Sequence, residues 1–463
     1  MTLARLREWL GTPDARWLLA VFVVALAVRL LVAITVTPDP RDGRFDDSVW
    51  YDTAARHIAA GDGYVSDVTV WVDAEGRRLY PDQNDLTATA LWPPAYPYTL
   101  AAIYIVSDDS VTAARMMNVL WGALTAALVF LIARKLFDTT VAAFSGMALA
   151  FMPAHVLFTA VLLAETYFGF LLALVLAVSV YFVFDRAKPN LAVMAGLGAL
   201  VAFTGYVRGE FLTFGAVLAL FVLLHLRRDA VLPLAALALG AAVIVVPWTV
   251  RNARSMGEPL VGTTGAGRTM YQGHNPDADG QPSLEASFIL EGRFSDVTDR
   301  KELEIKSNRE GSRLAREWAL DHKLRELQLV GLRMYHLMKT DEAGVTWLQS
   351  NKPWFSPENR DKLIFFSTFW FYSLIALTLA SIPLWWRWRD LSRLLVFSII
   401  PFYLVVFGVL FIGDPRYHYA MYIPLGVFAG VGLAAIARLT IHQWREATGE
   451  RFGELGRPGS LEG

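Results

Sequence analysis

Apolar residues in this chain come in long blocks rather than in the narrow stripes of a water-soluble fold. Near-continuous blocks run at roughly 17–36, 111–134, 139–157, 161–184, 190–206, 210–226, 230–249, 363–386, 391–412 and 417–438. About 20 apolar residues suffice to cross hydrocarbon as a helix. The pattern therefore predicts an all-α polytopic membrane protein with about ten transmembrane helices. It breaks twice for long stretches, at 37–110 and 250–362. Within the second stretch, residues 300–339 change period. Leu314, Trp318, Leu324, Leu327 and Met334 recur among charges, as in an amphipathic helix lying on a membrane or over a core. The expected division is a membrane module at 1–249 containing the loop 37–110, a loop domain at 250–362, further membrane helices at 363–441 and a tail at 442–463.

Charge orients these blocks. Arg134 and Lys135, Arg186 and Lys188, Arg227 and Arg228, Arg387, Arg389 and Arg393, and the tail from Arg438 all fall on the side of the N-terminus. Short basic loops mark the cytoplasmic face. Both termini are thus expected in the cytoplasm and both long loops outside the cell (plasma) membrane. Arg5, Arg7 and Arg16 precede the first block as in a signal peptide. That block is too long for a signal core and no small-residue cleavage site follows, so it reads as a membrane helix.

Composition narrows the chemistry. With 55% apolar residues and a net charge of −1, the chain has no nucleic-acid footprint. It contains no cysteine, which excludes disulfides and thiolate metal sites. Gly262–Asn275, "GTTGAGRTMYQGHN", has a Gly-Ala-Gly but follows no soluble strand, so it does not read as a nucleotide cradle. His155 reads as a packed core histidine. His57 and His418 lack ligand spacing, so no metal site is expected.

Polar residues at membrane depth cost roughly 2.5–3.5 kcal/mol for a central Arg or Asp. They should snorkel, pair or face a cavity. Arg29 lies in the first block, Glu165 at the outer end of the fourth, Arg208 and Glu210 between the fifth and sixth, Arg251 and Asn252 after the seventh, and Arg416 and His418 at the start of the tenth. All but a few gather toward the outer side, where the first loop opens with Asp46, Asp47 and Tyr51. Guanidinium forks match phosphate oxygens, and a carboxylate can take a proton from an attacking hydroxyl. Nucleotides are confined to the cytoplasm, so an activated substrate at this face would be carried on lipid.

The motifs, in their order, resemble GT-C glycosyltransferases of the protein-mannosyltransferase and aminoarabinose-transferase superfamily. "FDDSVWYDTAARHIAAGDGY" is similar to that family's first outer loop and "LWPPAYPYTLAAIY" to its paired-proline element. "LLAETYFGFLLAL" resembles the element with a second outer acid, "YVRGEF" an R-P-E element, "PWTVRN" the entry to the large outer segment, and "PRYHYAMYIP" an R-Y-x-x-P ending. The resemblance implies a GT-C fold and transfer of a sugar from a polyprenyl-phosphate donor to a lipid, glycan or protein acceptor. Asp47 is implied as the base, four residues before Tyr51, with Asp46 as rival and Glu165 as the second acid. Arg208, Arg251 and Arg416, and secondarily His418 and Arg115, would hold the donor phosphate. Tyr51, Trp92, Tyr96, Glu210, Asn252 and Tyr417 would line the pocket. No cofactor is required; a divalent metal is allowed for. The chain departs from the pattern at Leu91-Trp92, where the lipid-modifying branch has an acid and a lysine, and at Asp46-Asp47, where the protein-modifying branch has Asp-Glu. A transporter or flippase of lipid-linked precursors, or a non-catalytic binder of them, is the competing class. Such transporters usually carry internal repeats and broken midplane helices, and neither is seen in the sequence.

Overall fold

The computed structural model describes residues 11–41, 47–66, 86–351 and 356–448. The chain is almost wholly helical. α1 (Pro13–Thr35) starts at Thr12, whose hydroxyl caps Ala15 N–H, with Pro13 in the first turn; proline fits there because that N–H has no helical partner. The amphipathic α2 (Asp47–Ala60) follows. A two-residue antiparallel ladder then pairs β1 (Val65–Ser66) with β2 (Thr87–Ala88). α3 (Ala95–Ser107) leads into α4 (Val111–Leu136), α5 (Thr139–Ala150) and the short α6 (Pro153–Leu157). α7 (Ala164–Val178), α8 (Leu191–Gly205), α9 (Phe214–Leu226) and α10 (Val231–Ser255) complete the first module.

Seven described helical stretches are long and apolar enough to cross a membrane, or eight if one bent pair is a single span. The protein is thus a multi-pass membrane protein. Each predicted block falls on helix, but several are not straight rods. The 139–157 block bends by 59° between Thr139–Ala150 and Pro153–Ala160. Pro153 has no N–H to donate, so the break falls there. α8 is only 15 residues long. α9 and α10 are joined by one 3₁₀ turn at Arg227–Ala230, with Arg227 at φ 52°.

α8 and α10 pack backbone to backbone. A Cβ at Gly198 would run into the Leu237 carbonyl, and one at Gly240 into that of Ala195. Small residues let membrane helices approach this closely. The basic end of the bundle is stitched by ion pairs, Arg134 to Asp14, Lys135 to Asp185 and Arg438 to Asp138.

The second long segment is helical too. It comprises α11 (Ala266–Gly273), α12 (Leu284–Gly292), α13 (Arg300–Asp321), α14 (Lys323–Met338) and α15 (Ala343–Asn351). The predicted amphipathic stretch is therefore two helices, broken at His322. α16 (Pro357–Trp386), α17 (Leu391–Val405) and α18 (Tyr422–Thr448) close the chain.

The two long loops interlock where they are described. Glu304 on α13 is fully buried and accepts from the Thr89 hydroxyl at 2.7 Å, the Thr264 hydroxyl at 2.9 Å and Ala90 N–H at 3.2 Å. Burial holds its carboxyl above the ordinary range. Arg300 adds a bond to the Ser66 carbonyl at 2.7 Å.

Candidate active site

Four elements from distant parts of the chain meet at the end of the bundle opposite those stitching ion pairs. α2 begins at Asp47. α7 begins with Glu165 in its first turn, where a carboxylate suits the positive end of the helix dipole. A 3₁₀ stretch, Pro415–Met421, carries Arg416 just before α18; Asp414 caps it through Arg416 N–H. A second 3₁₀ turn, Gly209–Thr213, has Arg208 at its N-cap.

Arg416 is the hub. Its Nη1 donates to Asp47 Oδ2 at 2.5 Å and its Nε donates to Glu165 Oε1. Arg208 donates to the same Glu165 oxygen from Nη1 at 2.7 Å and to Glu210 Oε1 from Nε at 2.8 Å. Among the described residues, neither guanidinium directs its Nη2 to a hydrogen-bond partner. Three carboxylates thus surround two guanidiniums, and each arginine keeps one arm that none of them engages. The Glu165 side chain is fully buried, whereas that of Asp47 is 21% exposed. Only the second can meet a molecule arriving from outside.

Aromatic rings wall the site. Tyr51 stands edge-on to Tyr96 at 5.1 Å and 6.3 Å from Trp92. Burial first, and then the neighbouring Asp47 charge, push its hydroxyl up. Tyr417 stacks on Phe407 at 4.1 Å and lies under the Arg208 guanidinium at 5.3 Å. The indole of Trp347 covers Arg416, 4.5 Å from its guanidinium carbon.

Asp47, Glu165, Arg208, Glu210, Arg416, Tyr51, Trp92, Tyr96 and Tyr417 therefore lie together. Asp46 lies outside the described residues. Four other candidates point elsewhere. Arg251 donates to the carbonyls of Thr89, at 2.7 Å, and Tyr64, and its guanidinium is flanked by the rings of Tyr64 and Trp248. Asn252 is buried, donating to the Leu260 carbonyl at 2.8 Å and accepting from Arg251 at 3.1 Å. Arg115 is directed at three backbone carbonyls, Ala33, Val36 and Ala160. His418 is fully buried, 2.7 Å from the Leu337 carbonyl and 3.0 Å from Asp341. These four join segments, because chain ends and broken helices leave carbonyls that a nearby donor must satisfy. Arg29 does the same deep in the bundle: it neither snorkels nor meets an acid, but bonds the carbonyls of Ala25, Leu149 and Ala150 and His155 Nδ1.

The sequence reading passed over Asp52, although it lies in the same short stretch as Asp47. Asp52 is buried and accepts from Tyr104 at 2.5 Å, from Arg41 at 3.0 and 3.1 Å and from Arg56 at 3.1 Å. It anchors α2 one helical turn beyond the site. An aspartate five positions after another acid gave no distinguishing signal. Among the described residues no group of three or more His, Asp or Glu side chains could hold a metal ion; the carboxylates here are engaged by arginine.

Comparison with known proteins decides the architecture. The archaeal oligosaccharyltransferase of Archaeoglobus fulgidus, crystallised with a tethered acceptor peptide, superposes with a TM-score of 0.53 at 13% identity over 97% of this chain and 53% of that one. The same enzyme, as AglB in complex with an inhibitory peptide and a dolichol-phosphate, gives 0.51 over 95% and 52%. The chain has the GT-C fold. The chain spans about half the length of the oligosaccharyltransferase it matches. ArnT from Cupriavidus metallidurans, bound to undecaprenyl phosphate, aligns more loosely, with a TM-score of 0.43 at 16% identity over 95% and 81%. The family model of dolichyl-phosphate-mannose-protein mannosyltransferases matches residues 92–250 of the chain, a segment that contains Glu165, Arg208 and Glu210 but not Asp47 or Arg416. No curated protein matches it in sequence.

Proposed function

We propose that the chain is a polyprenyl-phosphate-sugar-dependent glycosyltransferase that works on the outer face of the plasma membrane. One observation carries the reading: Arg416 holds two carboxylates of different accessibility, a buried Glu165 and a partly exposed Asp47. The buried acid fixes the two guanidiniums, and the exposed acid is left for chemistry. The archaeal oligosaccharyltransferase, whose fold the chain shares, was captured with a dolichol-phosphate, which supports a lipid phosphate as the anion taken by the free arms of Arg208 and Arg416.

In this reading the donor phosphate lies on the two arginines and the acceptor hydroxyl approaches Asp47. The acceptor oxygen bonds the anomeric carbon as the bond from that carbon to the phosphate oxygen breaks. The hydroxyl proton passes to Asp47, and polyprenyl phosphate leaves with its charge held by the guanidiniums. A positioned carboxylate contributes roughly 10²–10⁴-fold by general-base catalysis, and fixed cations stabilise charge as it develops. Attack opposite the phosphate inverts the anomeric centre. The basic short loops support cytoplasmic termini and an outward site.

Reconstitution with a panel of polyprenyl-phosphate sugars tests the proposal. The expected result is release of free polyprenyl phosphate from at least one donor, abolished by Asp47→Asn. Release that is insensitive to Asp47, or absent from every donor, would remove it.

A further inference from the structure

Trp347 lies about three hundred residues from Asp47 in the chain, and no sequence signal marks it. It sits on α15, whose Val345 and Leu348 are fully buried, so the indole is held by a packed helix over the Arg416 guanidinium. Below it Arg416 holds Asp47 and Glu165. The indole is the one described contribution of the second outer segment to the face of this guanidinium.

A buried hydrogen-bonded pair sits where α15 is attached. Asp341, two residues before α15, is fully buried. Its Oδ1 lies 3.0 Å from His418 Nε2 and accepts from the Tyr422 hydroxyl, and its Oδ2 accepts from the Ser367 hydroxyl at 2.6 Å. The other ring nitrogen of His418, Nδ1, faces the Leu337 carbonyl at 2.7 Å. A carbonyl only accepts, so Nδ1 carries a proton. His418 thus bridges the Leu337 carbonyl to Asp341 and Tyr422, its Nε2 also lying 3.1 Å from the Tyr422 hydroxyl. Its ring also stacks on Phe371 at 4.3 Å. Leu337 and Asp341 belong to the outer segment, whereas His418 follows Arg416 by two positions on the same 3₁₀ stretch. This hydrogen-bonded pair thus fixes the roof relative to the arginine that it covers.

Resting on the glycosyltransferase reading, we propose that Trp347 is a specificity residue that excludes water from the reacting centre, and that Asp341–His418 is the latch that holds it in place. Water and an acceptor hydroxyl compete for the same position beside Asp47. If water attacks, its oxygen bonds the anomeric carbon, the bond to phosphate breaks, and its proton passes to Asp47, giving free sugar and polyprenyl phosphate. Covering a site suppresses this side reaction.

Two measurements on the full-length protein in detergent or nanodiscs test the inference. The first is the ratio of free sugar to transferred sugar. Trp347→Ala should raise it about tenfold, Trp347→Phe should leave it near wild type because a ring still covers the site, and Asp341→Asn should raise it in the same direction. The second needs no turnover. The chain has no cysteine, so Asp47→Cys offers a single thiol at the site. Its labelling by a water-soluble maleimide should speed up about tenfold when Trp347→Ala is added, and not when Trp347→Phe is added. Unchanged labelling overturns the roof whether or not the chain transfers sugar, and an unchanged ratio in an active variant overturns its role against water. Failure of the transferase reading looks different: no donor releases lipid phosphate, while the labelling rates still decide where Trp347 lies.

Discussion

Asp47 and Arg416 meet at 2.5 Å although 369 positions separate them in the chain. The contact joins the first helix outside the membrane to the stretch that opens the last span. Glu165, on the other edge of the same guanidinium, brings in a third element. From this one junction follow expectations for acid, base and anion chemistry.

Asp47→Asn keeps the shape of the site and removes its basicity. Turnover should fall by roughly 10²–10⁴-fold, with donor binding retained. Glu165→Gln should instead weaken donor binding, because the buried acid holds Arg208 and Arg416 in place. Donor titration and single-turnover rates separate the two. The reverse pattern, with Glu165→Gln losing only the chemical step, would mean that the roles are exchanged.

Arg416→Lys should be nearly as damaging as Arg416→Ala. A lysine ammonium is a point charge and cannot reproduce a guanidinium that bonds two carboxylates from different nitrogens while leaving a third arm free. Loss of one charge-assisted phosphate contact is worth about 1.5–3 kcal/mol, so Arg208→Ala and Arg416→Ala should each weaken donor binding by roughly tenfold or more. Arg115→Ala, by contrast, removes bonds to carbonyls only. It should lower the yield of folded protein and leave the donor affinity of the folded fraction intact. Equal donor defects in all three variants would argue against the site as drawn.

The outer segment should loosen as pH rises. Glu291 on α12 is buried beside Arg268, and burial pushes its carboxyl up to about 8 from an ordinary 4.5. The folded segment thus binds this proton more tightly than the unfolded one. Its contribution is fully present below the ordinary value and is lost as pH rises toward 8, at up to ~1.4 kcal/mol per pH unit for one proton. Hydrogen exchange of the α12 amides, corrected for intrinsic rate, should show falling protection between pH 6 and 8, and Glu291→Gln should flatten the trend. Protection that grows with pH in the wild type would contradict this sign.

Orientation is open to a direct check. A cysteine placed at the exposed Leu324, on α14, should react with an impermeant maleimide added outside intact cells. One at the exposed Arg389, between α16 and α17, should react only after permeabilisation. The opposite pattern would invert the assignment of outer and inner faces.

Much of this protein is legible along the chain. Long apolar blocks need a bilayer, and their caps mark where helices start, as Ser110 does for α4 and Asp390 for α17. The acids and bases of the site stood out because each sits where a charge is costly unless it has a partner. Periodicity also revealed the amphipathic second segment, though not its break at His322, where local geometry rather than pattern ends the helix.

What the tertiary structure decided is which partner each charge has. Arg115, Arg251 and Arg416 look alike in sequence, all at the outer ends of spans. A guanidinium finds either carbonyls left bare at a chain turn or carboxylates brought from elsewhere, and that depends on contacts between segments far apart. Arg115 met Ala33 and Ala160, Arg251 met Tyr64 and Thr89, and only Arg416 met Asp47 and Glu165. The same holds for Trp347, an ordinary tryptophan in sequence, whose place over Arg416 comes from the packing of α15. Hydrophobic patterning is a local property and specifies the helices; the pairing of charges is a property of distance in space, which a linear chain does not record.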